Sequence, residues 1–158
     1  MRELILLRHA HAEAATTGQA DLDRPLSTVG LAEAEAAGRW LKENKLLPDR
    51  VLCSPSRRTR ETLEAVLTAI GYVEQSIKDA IYEATPGTLA GLIDDNREAE
   101  RLLVVGHNPG LEQLVALMNT GESSDYRGMP PAGIAVLTFP LDAAFEPGVA
   151  SLEKFWWP

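Results

Sequence analysis

Cysteine is almost absent. Cys53 is the only one in 158 residues, which rules out an internal disulfide and agrees with a reducing environment. Long apolar runs are missing too. The aliphatic stretch of residues 4–7 is far too short for a signal peptide or a membrane span. No targeting motif is visible, so the expectation is a cytoplasmic protein with no membrane partner. Basic residues are scarce beside acidic ones: 15 Lys and Arg against 23 Asp and Glu, a formal net charge of −8. A surface built for a nucleic-acid backbone carries the opposite sign, so nucleic acid is not an expected partner. A small anion is not excluded, because a few converging arginines override a diffuse negative surface at short range. No internal repeat, low-complexity tract or Pro/Gly-rich linker divides the chain. Residues 1–158 therefore read as one domain of ordinary globular composition, 45% hydrophobic and 24% charged. There is no GxxxxGK[ST] loop, which excludes a P-loop nucleotide enzyme, and no GxSxG elbow for a Ser–His–Asp hydrolase.

What the chain does have is an alternation in the period of its apolar residues. Residues 3–7 read as a strand buried on both faces. Ser27 is a plausible N-cap for a helix with Leu31, Ala34, Gly38 and Leu41 on one face, ending near Asn44. Residues 50–53 form a second strand. Ser54-Pro55 then reads as an N-cap serine with proline at the first helical position, opening a helix with a Leu63, Val66, Leu67 and Ile70 stripe and a Gly71 stop. A weaker strand over 77–82 precedes a short helix bearing Leu89, Leu92 and Ile93. The strongest strand, 101–105, ends in Gly106-His107-Asn108-Pro109 and leads into a helix with Leu111, Leu114, Val115 and Met118. Residues 134–139 and 149–156 read as closing strands, less firmly parallel to the others. This pattern predicts an α/β three-layer sandwich with a mostly parallel central sheet and helices on both faces.

In such a sheet, ligands sit beyond the carboxyl ends of the strands. Three strand ends here carry Arg8-His9, the segment from Ser54 to Arg58, and Gly106-His107-Asn108. Two of them also open helices, whose first N–H groups favour an anion. Each part alone has a plain reading: a structural histidine, solvated arginines such as Arg57 and Arg60, an ordinary cap. Together they point to a site for a phosphate-sized, multiply charged anion. Metal binding is the rival chemistry, since His9 and His11 are two apart and Glu13 follows. Zinc, however, prefers three or four supported ligands, and the chain has only three histidines.

Leu7-Arg8-His9-Ala10 resembles the RHG/RHA signature of the histidine phosphatase superfamily, also called phosphoglycerate mutase-like. The segment from Ser54 to Thr62 resembles its S-x-x-x-R-[AT]-x-x-T motif, which places the family arginine on Arg58. Val105-Gly106-His107-Asn108 resembles the element carrying its second histidine. The short chain, the segment from Asp21 to Ser27 with Gly30, the segment from Ile81 to Ala84, and Gly106 to Gly110 are most similar to the SixA-type phosphohistidine phosphatases.

The resemblance implies a two-step displacement through a phosphohistidine on the enzyme. His9 would be the nucleophile, its other ring nitrogen bonded to a backbone carbonyl near Gly106. Arg8 and Arg58 would clamp phosphate oxygens, and His107, protonated, would complete the phosphate-binding set. The proton donor is open: acid-phosphatase members have Asp where Asn108 stands, and Glu83 is the best positional candidate, with a solvated strand-end carboxylate as its plain reading. Asp23 and Arg24 either frame the pocket mouth or form a salt-bridged loop, and His11 reads as a rim residue. Trp40 reads as packing or surface, and Trp156-Trp157 as an anchor for the C-terminus. No metal or organic cofactor is implied. The expected partners are a phosphohistidine-bearing protein or a small phosphorylated substrate, with inorganic phosphate as product, and the chain is expected to act as a monomer. A small-molecule phosphomonoesterase or mutase and a non-catalytic phosphate-binding module are the alternatives.

Overall fold

Alternation along the strands decides the architecture. A computed structural model describes residues 1–158. Six strands, β1 (Glu3–Arg8), β2 (Arg50–Cys53), β3 (Gln75–Ile77), β4 (Arg101–Gly106), β5 (Ile134–Thr138) and β6 (Ser151–Trp156), form one sheet in the order β3-β2-β4-β1-β5-β6. The first four strands run parallel to one another, whereas β5 pairs antiparallel with β1 and β6 antiparallel with β5. Helices α1 (Thr28–Glu43) and α2 (Arg57–Ile70) cover one face; α3 (Pro86–Asp94) and α4 (Gly110–Thr120) cover the other.

Leu4 to Leu7 are all fully buried, and their odd and even members serve different layers. Ile5 and Leu7 pack with Leu41, Leu63 and Val66 of α1 and α2. Leu4 and Leu6 pack with Leu89, Ile93, Leu111 and Leu114 of α3 and α4. The three-layer sandwich expected from the sequence is the one observed.

Several local readings change. Leu31 is exposed; α1 instead buries Gly30, Ala34, Ala37, Gly38 and Leu41. This small-residue face allows close packing on α2: a Cβ on Gly38 would stand 3.0 Å from the Val66 Cα. The cap of α2 is Ser56, whose hydroxyl accepts from Thr59 N–H, so the helix starts two residues later than Ser54-Pro55 suggested. The segment 77–82 is not one strand: β3 ends at Ile77 and a 3-10 turn, Asp79–Ile81, follows. Its Ile81 is buried in the core beneath α3 and α4, which turns the chain out of the sheet plane. Helix α4 begins at Gly110 with no side-chain cap, after a cis Asn108–Pro109 bond. Trp156 stacks on Trp40, with ring centroids 5.4 Å apart, and so ties the C-terminal strand to α1.

Strand register positions the site. Arg8 lies opposite Gly106, and Cys53 opposite Val105, so β1, β4 and β2 end level with one another. The ladder extends one step further on each side: His9 N–H donates to the Gly106 carbonyl and Ser54 N–H to the Val105 carbonyl, both at 3.1 Å.

Candidate active site

Because three strands end in register, the residues that follow them share one cleft of about 620 Å³. Arg8, His9, Arg58, Glu83 and His107 all line it, as do Asn108 and the rim residues His11 and Arg24. The His9 and His107 rings lie 5.3 Å apart between centroids.

His9 is oriented by its own neighbour. Its Nδ1 lies 2.7 Å from the Ala10 carbonyl, an acceptor only, so Nδ1 carries the proton and donates it. Nε2 is thereby left with its lone pair. The sequence reading placed this partner near Gly106; that carbonyl is already taken by the His9 backbone N–H. Ala10, in turn, donates its N–H to Thr62 Oγ1, and Thr62 donates to the Arg58 carbonyl, which locks the end of β1 to α2. Burial first, then the positive charges of Arg58, Arg8 and Arg24, push the His9 imidazole down to about 4. A neutral ring with a free nitrogen is the form a nucleophile needs.

His107 departs from expectation. Burial, then His9 and the arginines, lower it to about 3, so the protein's own groups keep this ring neutral at pH 7. A phosphate dianion would act in the opposite sense, since a nearby negative charge favours imidazolium. Ser54, read from the sequence as a helix cap, instead shares a hydrogen bond of 2.7 Å with His107 Nε2.

The arginines divide sharply. Arg57 and Arg60 are exposed, whereas Arg58 is 5% exposed and faces the cleft. Arg58 Nη1 donates to the Asp21 carbonyl at 2.8 Å and Nη2 to Asp21 Oδ2 at 3.0 Å. Arg8 Nη1 donates to the Met129 carbonyl at 2.9 Å. The Nε–H groups of both arginines are buried and without a partner. A buried, unpaired charged donor is costly, and an oxyanion is the natural way to satisfy it.

Asn108 is fully employed within the fold. Its Nδ2 donates to the Met129 carbonyl and to Glu112 Oε2, and its Oδ1 accepts from Glu112 N–H. Glu83 sits in the cleft wall in the left-handed region, φ 57°, an uncommon conformation for a residue with a Cβ. His11 is tied to Glu33 at the rim, and Arg24 to Asp21. Asp23 does not line the cleft. Cys53 is buried on β2, which raises its thiol to about 12 and leaves it inert. No three His, Cys, Asp or Glu side chains gather closely enough to hold a metal ion. Asp21 and Tyr82 line the cleft although sequence reasoning gave neither a role of its own, and Ser54, read as a cap, lies buried behind His107. The signal for both was their place in the segments from Asp21 to Ser27 and from Ile81 to Ala84 that carry the SixA-type resemblance.

The sequence profile described as histidine phosphatase superfamily (branch 1) matches residues 4–126. The chain belongs to the histidine phosphatase superfamily. This superfamily member is 37% identical over 165 residues to an uncharacterized protein of Mycobacterium tuberculosis, Rv1276c, covering 96% of this chain and 99% of the relative. It is 34% identical over 119 residues to the phosphohistidine phosphatase SixA of Escherichia coli, covering 72% of this chain and 73% of that protein. A SixA-type crystal structure from Agrobacterium tumefaciens superimposes with a TM-score of 0.87 at 31% identity, covering 99% of this chain and 98% of that one. The fold is thus the phosphoglycerate mutase-like one, and the superfamily makes this chain a phosphatase.

Proposed function

We propose that this protein removes phosphate from phosphohistidine on another protein, using His9 as the nucleophile. The observation that carries the reading is the state of His9: its Nδ1–H is committed to the Ala10 carbonyl, so a neutral Nε2 is available in a cleft shared with Arg8, Arg58 and His107. In the first step Nε2 attacks phosphorus in line. The new N–P bond forms as the substrate's own N–P bond breaks, and the departing imidazole leaves neutral once protonated. Arg8 and Arg58 hold the phosphoryl oxygens through charge-assisted bonds, and His107 takes up a proton as the dianion enters. Water then attacks the phosphoenzyme, releases inorganic phosphate and restores His9. A protonated imidazole is a good leaving group, so the employment of Asn108 in packing costs this reaction nothing.

A second reading has one observation in its favour. Glu83, held in the cleft wall, could protonate an alkoxide leaving group, which a phosphomonoester needs and a phosphohistidine does not. The test is hydrolysis of a phosphohistidine-bearing phosphotransfer protein beside a panel of small phosphomonoesters, each with and without a chelator. Preferential loss of phosphohistidine, indifferent to the chelator, is the expected result. Preference for one small ester would move the protein to the second reading. Activity lost in chelator and regained with a divalent ion would remove the metal-independent mechanism.

The depressed imidazoles also set a pH dependence. In the unfolded chain each ring binds its proton near 6.5, but in the folded protein only near 4 for His9 and 3 for His107. Below 6.5 the unfolded state therefore binds more protons, and stability is lost progressively as pH falls from there, through about 4 for His9 and toward about 3 for His107. The melting temperature is expected to drop across this window and to recover part of the loss when inorganic phosphate is added. A His9→Ala, His107→Ala protein should show a flatter curve; an unchanged curve would contradict the assigned neutral state of both rings.

A further inference from the structure

Arg58 is held in the cleft by a carboxylate with its own separate support. Asp21 lies in a 3-10 turn, Asp21–Asp23, before α1. Its backbone carbonyl and Oδ2 take one N–H each from Nη1 and Nη2 of Arg58. Oδ2 also accepts from the Tyr82 hydroxyl at 2.5 Å, and Oδ1 accepts from Arg24 Nε at 2.9 Å. Arg24 in turn donates through Nη1 to the Glu13 carbonyl. The Tyr82 ring meets His107 edge-on, with centroids 5.5 Å apart at 87°.

Two roles are conceivable for this carboxylate. It could compete with phosphate for Arg58, in which case it must leave before substrate binds. Alternatively, it could hold the guanidinium in the plane the phosphate requires. The geometry favours holding. A guanidinium has five N–H donors, and Asp21 uses two; Nε–H, buried and unpartnered, and the second hydrogens on Nη1 and Nη2 remain for an oxyanion. One of the two contacts is to the Asp21 backbone, which cannot withdraw without unwinding the turn. The carboxylate contact is braced by Tyr82 and Arg24, neither of which depends on Arg58. A long side chain tethered at two points has little rotamer freedom left to lose when phosphate arrives.

We propose that Asp21, pinned by the Tyr82 hydroxyl, is a positioning residue that presets the Arg58 guanidinium for the substrate phosphate. Tyr82 thereby links Arg58 to His107, through its hydroxyl on Asp21 and its ring against the imidazole. The proposal rests on the reading of this cleft as a phosphate site, and the experiment separates the two.

Binding of inorganic phosphate is measured by calorimetry, alongside kcat and KM, for the wild-type protein, Asp21→Ala, Asp21→Asn and Tyr82→Phe. Asp21→Ala is expected to weaken phosphate binding by on the order of tenfold and to lower kcat as well, as fits loss of a charge-assisted contact. Asp21→Asn, which keeps an acceptor, should fall between Asp21→Ala and wild type. Tyr82→Phe keeps the ring against His107 and removes only the hydroxyl, so a severalfold loss in the same direction is expected with an unchanged melting temperature. Tighter phosphate binding in Asp21→Ala would show a competitor and overturn the proposal. Wild-type binding with all three variants unchanged would overturn it alone, whereas a wild-type protein that binds no phosphate would remove the phosphatase reading of the cleft and this proposal together.

Discussion

Turnover is expected to fall by a factor on the order of 10⁴–10⁶ when His9 is replaced by alanine, the scale seen when a covalent nucleophile is taken from a preorganised site. The size follows from what remains. Arg8, Arg58 and His107 come from β1, α2 and the end of β4, and none of them depends on the His9 ring for its position. Phosphate affinity should therefore persist in His9→Ala while the chemical step disappears. Intact-mass measurement after mixing with substrate supplies the second readout. The wild-type protein should carry one acid-labile, base-stable phosphoryl group, and the variant none. Near-normal turnover in His9→Ala, or a phosphoryl group on His107 instead, would refute the assignment of the nucleophile.

Arg58→Ala is expected to lower kcat by about 10²–10³, the usual cost of removing one preorganised donor from a site where charge develops. Its environment argues for the upper part of that range. The side chain is 6% exposed, and its loss leaves the Asp21 carboxylate on the cleft with its partner gone, so an anionic substrate meets an added repulsion. Arg58→Lys restores a charge but not the planar fork that spans Asp21 and an oxyanion together, so only partial recovery is expected. Arg57→Ala, one residue away on an exposed face, should stay close to wild type in steady-state kinetics. Equal effects of the Arg57 and Arg58 substitutions would mean that general positive charge near the cleft, rather than a positioned guanidinium, is what matters.

Strands and helices were legible wherever one physical signal dominated. Residues 3–7 and 101–105 are apolar almost without interruption because both faces of their strands are covered, whereas a strand with one wet face would alternate. In the stripe of α2, Leu63 and Val66 are buried and Leu67 and Ile70 pack partly buried beside them, and its Gly71 stop stands as read, at φ 89°. The readings that failed were those in which two signals competed. Ser54 and Ser56 can each cap a helix; the fold gave the cap to Ser56 and used Ser54 to hold His107. Leu31 carries an apolar side chain, yet it stays exposed while α1 turns Gly30, Ala34, Ala37, Gly38 and Leu41 inward, with Gly38 close against Val66 of α2. In 77–82 the strand-like composition yields to the burial of Ile81 in the opposite layer.

The sequence by itself determined the α/β class and the three-strand-end origin of the cleft, because residues adjacent to strongly patterned strands can be placed by local rules. The choice of Arg58 over Arg57 and Arg60 came from the family resemblance, and the fold brings Arg8, His9, Arg58 and His107 into one cleft. Only the tertiary structure decided how those residues behave. The neutral state of both imidazoles comes from burial and from charges contributed by distant segments. The choice of the Ala10 carbonyl over that of Gly106 comes from the β1–β4 register. The hold of Asp21 and Tyr82 on Arg58 joins residues 37 and 61 positions from Asp21. Protonation and side-chain orientation depend on what surrounds a group in space, and spacing along the chain carries no record of that.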